Sequence, residues 1–163
     1  MNTLQKKILV HAFGNSGRGD DGLGDEFINK LDRWIEINDI HLVDTDSSYQ
    51  LNVEYAPAMA EHDIVVFVDA SKAEIKKFDF SRVQPDPQSF FSTHVLSPSG
   101  VLHLCRELYE KQPETYFLQI KGYTWDMKEE LSSEAKINLE EAFLFCCSKL
   151  QEWIKIDKEH EHS

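Results

Sequence analysis

Residues 62–70, HDIVVFVDA, hold five consecutive apolar residues, four of them β-branched. Such a run has no polar side to turn toward water, so the strand it predicts must be covered on both faces. That is the central position of a mostly parallel sheet, and it requires helices above and below. The remaining segments supply them. Residues 7–13 (KILVHAF) read as a second buried strand, and residues 20–37 as an amphipathic helix with Leu23, Phe27, Leu31 and Trp34 on one side. Residues 40–44 (IHLVD) read as a short strand, residues 50–61 as a weak helix broken by Pro57, and residues 71–88 as loop with an irregular edge strand. Pro98 with Ser97 before it predicts a capped helix that buries Val101, Leu102, Cys105, Leu108 and Tyr109. Residues 115–121 form a last strand and residues 132–156 a long helix. Strands alternating with helices predict a three-layer α/β/α sandwich around a mostly parallel twisted sheet. One domain is expected over residues 1–156, with residues 157–163 (DKEHEHS) as a solvated tail.

Composition removes several function classes. A formal net charge of −12 opposes nucleic-acid binding, which needs clustered cations for phosphate. No apolar run is long enough to span a bilayer, and residues 1–7 carry no signal-peptide pattern, so the expected compartment is the cytoplasm. The three cysteines, Cys105, Cys146 and Cys147, fit no disulfide framework and read as buried thiols.

In an open parallel sheet, ligands gather at the carboxyl ends of the strands. Past the first strand lies FGNSGRGDDGLGDEF, with Asp20 and Asp21; the central strand ends on Asp69; and His94 lies in the segment leading to the Pro98 helix. A glycine-rich turn before a helix often holds phosphate. Here two adjacent aspartates would repel it and no P-loop lysine follows, so the loop suits a cation. Asp20, and less readily Asp21, is a candidate cap for the first helix. An aspartate of this pair with Asp69 and His94 makes a nitrogen and oxygen donor set suited to a first-row divalent metal. His11, His41, His62, His103, His160 and His162 fall inside strands, at the opposite edge, on helix flanks or in the tail. No nucleophile-elbow serine, HExxH pair or CxxC motif is present.

The order of these motifs resembles the [NiFe]-hydrogenase maturation endopeptidases. The resemblance rests on Gly14-Asn15-Ser16-Gly17-Arg18-Gly19-Asp20-Asp21-Gly22-Leu23-Gly24, then Val68-Asp69-Ala70, then Thr93-His94, then Lys121-Gly122 and Leu131-Ser132. Tyr49-Gln50-Leu51 with Glu54, and Thr93-His94-Val95-Leu96-Ser97-Pro98, are similar to the branch serving cytoplasmic NAD-linked hydrogenases. The chain departs from the family at Asp44-Thr45-Asp46, in place of a D-G-G-T turn, and at Gly122-Tyr123-Thr124, in place of G-x-x-P.

The resemblance implies a protease of the aspartate or metal type. It would remove a C-terminal extension from a hydrogenase large-subunit precursor after nickel insertion. Asp21, Asp69 and His94 would be both its catalytic and its metal-binding residues. Nickel would arrive with the substrate rather than reside as a cofactor, and a divalent metal at the site would polarise the scissile carbonyl. Either a carboxylate or an activated water would open the peptide bond. Two rival readings follow from the same residues. A signalling receiver domain would use Asp69 and Lys121, but it has no use for the glycine insertion or His94. A non-catalytic metal-binding module would leave a precursor uncut.

Overall fold

The computed structural model describes residues 5–90, 96–128 and 130–162. Five strands make one sheet: β1 (Ile8–Phe13), β2 (Val43–Ser48), β3 (Ile64–Ser71), β4 (Phe78–Arg82) and β5 (Glu114–Lys121), ordered β2-β1-β3-β5-β4. All pairings are parallel except β4 with β5, so β4 is an antiparallel edge. The helices are α1 (Leu23–Ile37), α2 (Ala56–Ala60), α3 (Pro87–Phe90), α4 (Pro98–Tyr109) and α5 (Ser133–His162), with single 3-10 turns at Gly19–Gly22 and Val53–Tyr55.

Alternation along the strands divides the core in two. Ile8, Val10, Ala12, Ile64, Val66 and Val68 pack with Leu23, Phe27 and Leu31 of α1 and with Ala135, Leu139 and Leu150 of α5. Leu9, Phe13, Val65 and Phe67 turn the other way, against Ala56 and Met59 of α2 and Val101, Leu102 and Cys105 of α4. The three-layer α/β/α arrangement is thus what an apolar β3 demands. Phe27 and Phe67 are fully buried, each contributing roughly 2–3 kcal/mol by leaving water.

The neighbours β1 and β3 send their chains to opposite sides. From β1 the chain passes through α1 to β2 at one edge, whereas from β3 it runs to β4 at the other. A cleft therefore opens past their carboxyl ends. Helix α4 leads through residues 110–113 into the start of β5, and its first turn lies beside the chain past β4, the Asp86 N–H donating to the Ser99 carbonyl at 3.1 Å. Ser97 caps it, its Oγ accepting from the Gly100 N–H at 3.2 Å, and Pro98 opens its first turn. Left-handed Glu110, at φ 55°, ends it.

Several elements differ from the sequence reading. Strand β2 lies at Val43–Ser48 rather than 40–44, because its register is set by pairing Ile8 with Val43. Asp44, Thr45 and Asp46 are therefore strand residues, not a turn. The segment 50–61 divides into the 3-10 turn and the one-turn α2. Leu108 is 61% exposed and Tyr109 41%, as the last turn of α4 emerges at the surface. Helix α5 continues through residues 157–162, where a tail was expected. The three cysteine thiols are free and buried, as expected. Among the described residues no helix is long and apolar enough to cross a membrane.

Candidate functional site

The loop leaving β1 is shaped around Asp21. Gly14 has φ 142°, and a Cβ there would collide with the Asp21 carbonyl oxygen, so only glycine passes the chain through this point. The next residue secures the carboxylate: the Asn15 N–H donates to Asp21 Oδ2 at 2.9 Å. The Asn15 side chain in turn accepts from the Gly17 N–H at 2.9 Å and donates to the Tyr49 hydroxyl at 3.3 Å. Its role is the structural one, tying the glycine loop to the chain that follows β2.

Asp69 is the sixth residue of β3. Val65 and Phe67 face α2 and α4, so parity turns Asp69 to the same side, where that layer leaves the end of the strand only half-covered. Burial, and next the charge of facing Asp21, push its carboxyl up to about 7, against the opposing bond from the Ala70 N–H at 2.8 Å. Two carboxylates, one just past β1 and one ending β3, thus share a common field. This is the arrangement that a divalent cation relieves, and its chemistry fits a hard or borderline ion.

Asp20 and Asp21 are adjacent and identical, yet their surroundings separate them. Asp20 is fully buried and accepts four hydrogen bonds. The N–H groups of Tyr123 and Thr124 reach Oδ2 at 2.6 and 3.0 Å; the Ser132 N–H reaches Oδ1 and the Ser132 hydroxyl reaches Oδ2, both at 2.7 Å. Burial raises its pKa, but these four donors outweigh that and hold the carboxyl below the usual range. Buried and held by four donors, this carboxylate is not open to a metal in the cleft. The expectation that Asp20 caps α1 is corrected: the capping position is Gly22, without a side-chain bond, and the Asp20 carboxylate belongs to a loop 103 to 112 residues away. Sequence reading missed this hub, although it had noted both Gly122 and the Leu131-Ser132 pair.

His94, Thr93 and Ser92 lie outside the described residues. Helix α4 begins four residues after His94. Among the described residues no three His, Cys, Asp or Glu side chains form a group able to hold a metal ion; Asp21 and Asp69 supply two. A polar hollow of about 260 Å3 lies between the glycine loop and the end of β2, lined by Gly14, Asn15, Ser16, Asp25, Ser47, Ser48 and Tyr49 but by neither Asp21 nor Asp69. Larger hollows between α1 and α5 have no carboxylate pair of this kind. His11 is buried in β1 with Ser48 Oγ at 2.9 Å and the edge of Tyr55 against it. Desolvation lowers its pKa, and Asp46 partly opposes the shift.

No family model matches the chain, and no curated protein matches it in sequence. Solved structures do match in fold. The hydrogenase maturating endopeptidase HybD from E. coli is 18% identical, with a TM-score of 0.72 over 90% of this chain and 93% of that one. The [NiFe] hydrogenase maturation protease HycI from Thermococcus kodakarensis KOD1 is 22% identical, with a TM-score of 0.68 over 92% and 93%. The hydrogenase 2 maturation peptidase from Thaumarchaeota archaeon SCGC_AB-539-E09 is 20% identical, with a TM-score of 0.63 over 89% and 98%. Over 89–92% of its length the chain shares its fold with these solved structures named as hydrogenase maturation proteases.

Proposed function

We propose that this protein is an endopeptidase that trims the C-terminal extension of a [NiFe]-hydrogenase large-subunit precursor after nickel insertion. The observation that carries the reading is the pairing of Asp21 with Asp69 at the carboxyl ends of β1 and β3, in a fold shared with structures named as hydrogenase maturation proteases. Asp21, Asp69 and His94 are the residues that would grip the nickel carried by the incoming substrate. A divalent ion held there would polarise the scissile carbonyl. The chain's own part is to orient the carboxylates: the Asn15 N–H sets Asp21, and the Ala70 N–H sets Asp69. Asp20, buried and held by four donors, keeps its charge behind the pair without competing as a ligand. Three buried free thiols agree with a reducing, cytoplasmic setting.

The test is co-expression with the nickel-loaded precursor and intact-mass analysis of the large subunit. Asp21→Ala, Asp69→Ala and His94→Ala should each leave the precursor at full length while the protease stays folded. Complete trimming by all three variants would remove the reading.

A further inference from the structure

Tyr49-Gln50-Leu51, which the sequence marks out, follows β2 and carries none of the groups assigned to the metal or the peptide bond. Tyr49 is 68% exposed, so its ring covers little of the core. Both of its oxygens nevertheless reach the glycine loop. Its carbonyl accepts from the Gly14 N–H at 3.2 Å, beside the Ser48 carbonyl, which accepts from the same N–H at 3.1 Å. Its hydroxyl accepts from Asn15 Nδ2 at 3.3 Å. Gly14 and Asn15 both meet the Asp21 carboxylate: a Cβ on Gly14 would lie 3.5 Å from Asp21 Oδ1, and the Asn15 N–H holds Oδ2 at 2.9 Å.

The segment is fastened on its other side as well. Leu51 is buried with Met59 of α2 and Val101 of α4. The Ser48 hydroxyl donates to the Gln50 carbonyl at 3.3 Å and takes the His11 Nε2–H at 2.9 Å. His11 stands in β1 between Leu9 and Phe13, where alternation calls for an apolar residue, and its ring meets that of Tyr55 edge to face at 4.3 Å. An imidazole buried there loses its hydration and must find a partner; the partner is the residue directly before Tyr49. A path of bonds therefore runs from the middle of β1 to Ser48, along the chain to Tyr49, and through Asn15 to Asp21. A segment that merely linked β2 to α2 would need no bond to the glycine loop.

We propose that Tyr49 is a positioning residue for Asp21, acting through Asn15, and that residues 48–51 are the brace that fixes the glycine loop at the site. The inference rests on the endopeptidase reading above and names what keeps one of its two carboxylates in place. The Asn15 side chain is the joint. Its Oδ1 accepts from the Gly17 N–H and its Nδ2 donates to the Tyr49 hydroxyl, so both ends of the amide are engaged while the backbone N–H of the same residue points at Asp21.

The experiment compares the wild-type protein with Tyr49→Phe, Asn15→Ala and the double variant, and uses Tyr109→Phe, at the exposed end of α4, as the control. Two quantities are read: hydrogen exchange of the amide at position 15, and trimming of the nickel-loaded precursor with kcat and KM taken separately. Tyr49→Phe should speed exchange at position 15 about fivefold and lower kcat about fivefold, with KM within about twofold. Fivefold equals about 1 kcal/mol, the ordinary worth of one neutral hydrogen bond. Asn15→Ala should lower kcat at least as far, and adding Tyr49→Phe to it should change nothing more, since the two act along one path. Tyr109→Phe should match wild type. Unchanged exchange at position 15 in Tyr49→Phe overturns the brace. Faster exchange with unchanged trimming overturns the positioning role, as does a loss confined to KM, which would put Tyr49 against the substrate. Losses that add in the double variant overturn the route through Asn15. If wild-type protein leaves the precursor uncut, the endopeptidase reading itself fails, and exchange at position 15 still decides the brace. Tyr49→Phe removes one exposed hydroxyl and remains informative should Asn15→Ala fail to fold.

Discussion

Ser132 closes on both oxygens of Asp20: its N–H donates to Oδ1 and its hydroxyl to Oδ2, each at 2.7 Å, across 112 residues of chain. The same hydroxyl accepts from the Ala135 N–H at 3.2 Å and so also caps the start of α5. One side chain thereby ties the loop of the candidate site to the longest helix. Ser132→Ala deletes the bond to a buried carboxylate together with a helix cap. A loss of about 2–3 kcal/mol is expected, read as a lower urea midpoint at pH 7. A change below about 0.5 kcal/mol would mean that water replaces the hydroxyl at no cost.

The Asp20 hub also sets acid sensitivity. Its folded pKa lies below the ordinary 3.8, so on acidification the unfolded chain binds the proton first. Stability from this group is fully present above pH 3.8 and is lost as pH falls through the folded value. Asp20→Asn should be less stable than wild type at pH 7, with the difference narrowing toward pH 2 in equilibrium denaturation. A difference that widens on acidification would reverse the assigned sign.

Asp69 has the opposite linkage. Its folded pKa, raised to about 7, exceeds the ordinary 3.8, so between these values the folded chain keeps a proton that the unfolded chain has released. Stability therefore falls as pH rises from about 4 to 7 and stays lowered above that. Asp69→Asn keeps the acceptor for the Ala70 N–H and removes the charge. It should be more stable than wild type by about 2–4 kcal/mol at pH 8 and equal to it near pH 4, measured on metal-free protein. Equal stability at both pH values would mean that the carboxyl ionises freely. The gain would come at the expense of activity, as expected where a site stores repulsion for function.

Buried His11 tilts the same pH range the other way. With its pKa lowered by desolvation, the unfolded chain takes up a proton below 6.5 that the folded chain refuses, so stability declines as pH falls from there. His11→Leu should flatten that decline, and subtracting the two urea series isolates it from the Asp69 effect. An unchanged slope would show that Asp46 compensates the charge in full.

Gly14 is the backbone test. Gly14→Ala must leave φ 142° or drive its methyl into the Asp21 carbonyl oxygen. A loss of about 2–3 kcal/mol is expected, together with weaker nickel binding because Asp21 shifts. Wild-type stability and nickel affinity in this variant would show that the loop can reshape freely.

Much of this architecture can be read from local pattern. The run IVVFV admits only a strand covered on both faces, and β3 is the central strand. Pro98 after Ser97 marks the start of α4 because both residues act within one turn. The carboxyl-end positions of Asp21 and Asp69 follow from alternating strands and helices. Strand β2 was misplaced because VDTDSS, at the edge of the sheet, carries almost no apolar signal, and its pairing with β1 determines its limits. Division of labour between Asp20 and Asp21 was beyond local reading altogether. The two residues are chemically identical neighbours, and their difference arises only when Tyr123, Thr124 and Ser132 arrive from over a hundred residues away to occupy one carboxylate. Patterns of burial propagate along the chain and are legible in it; which donor reaches which acceptor depends on packing, and that is decided in three dimensions.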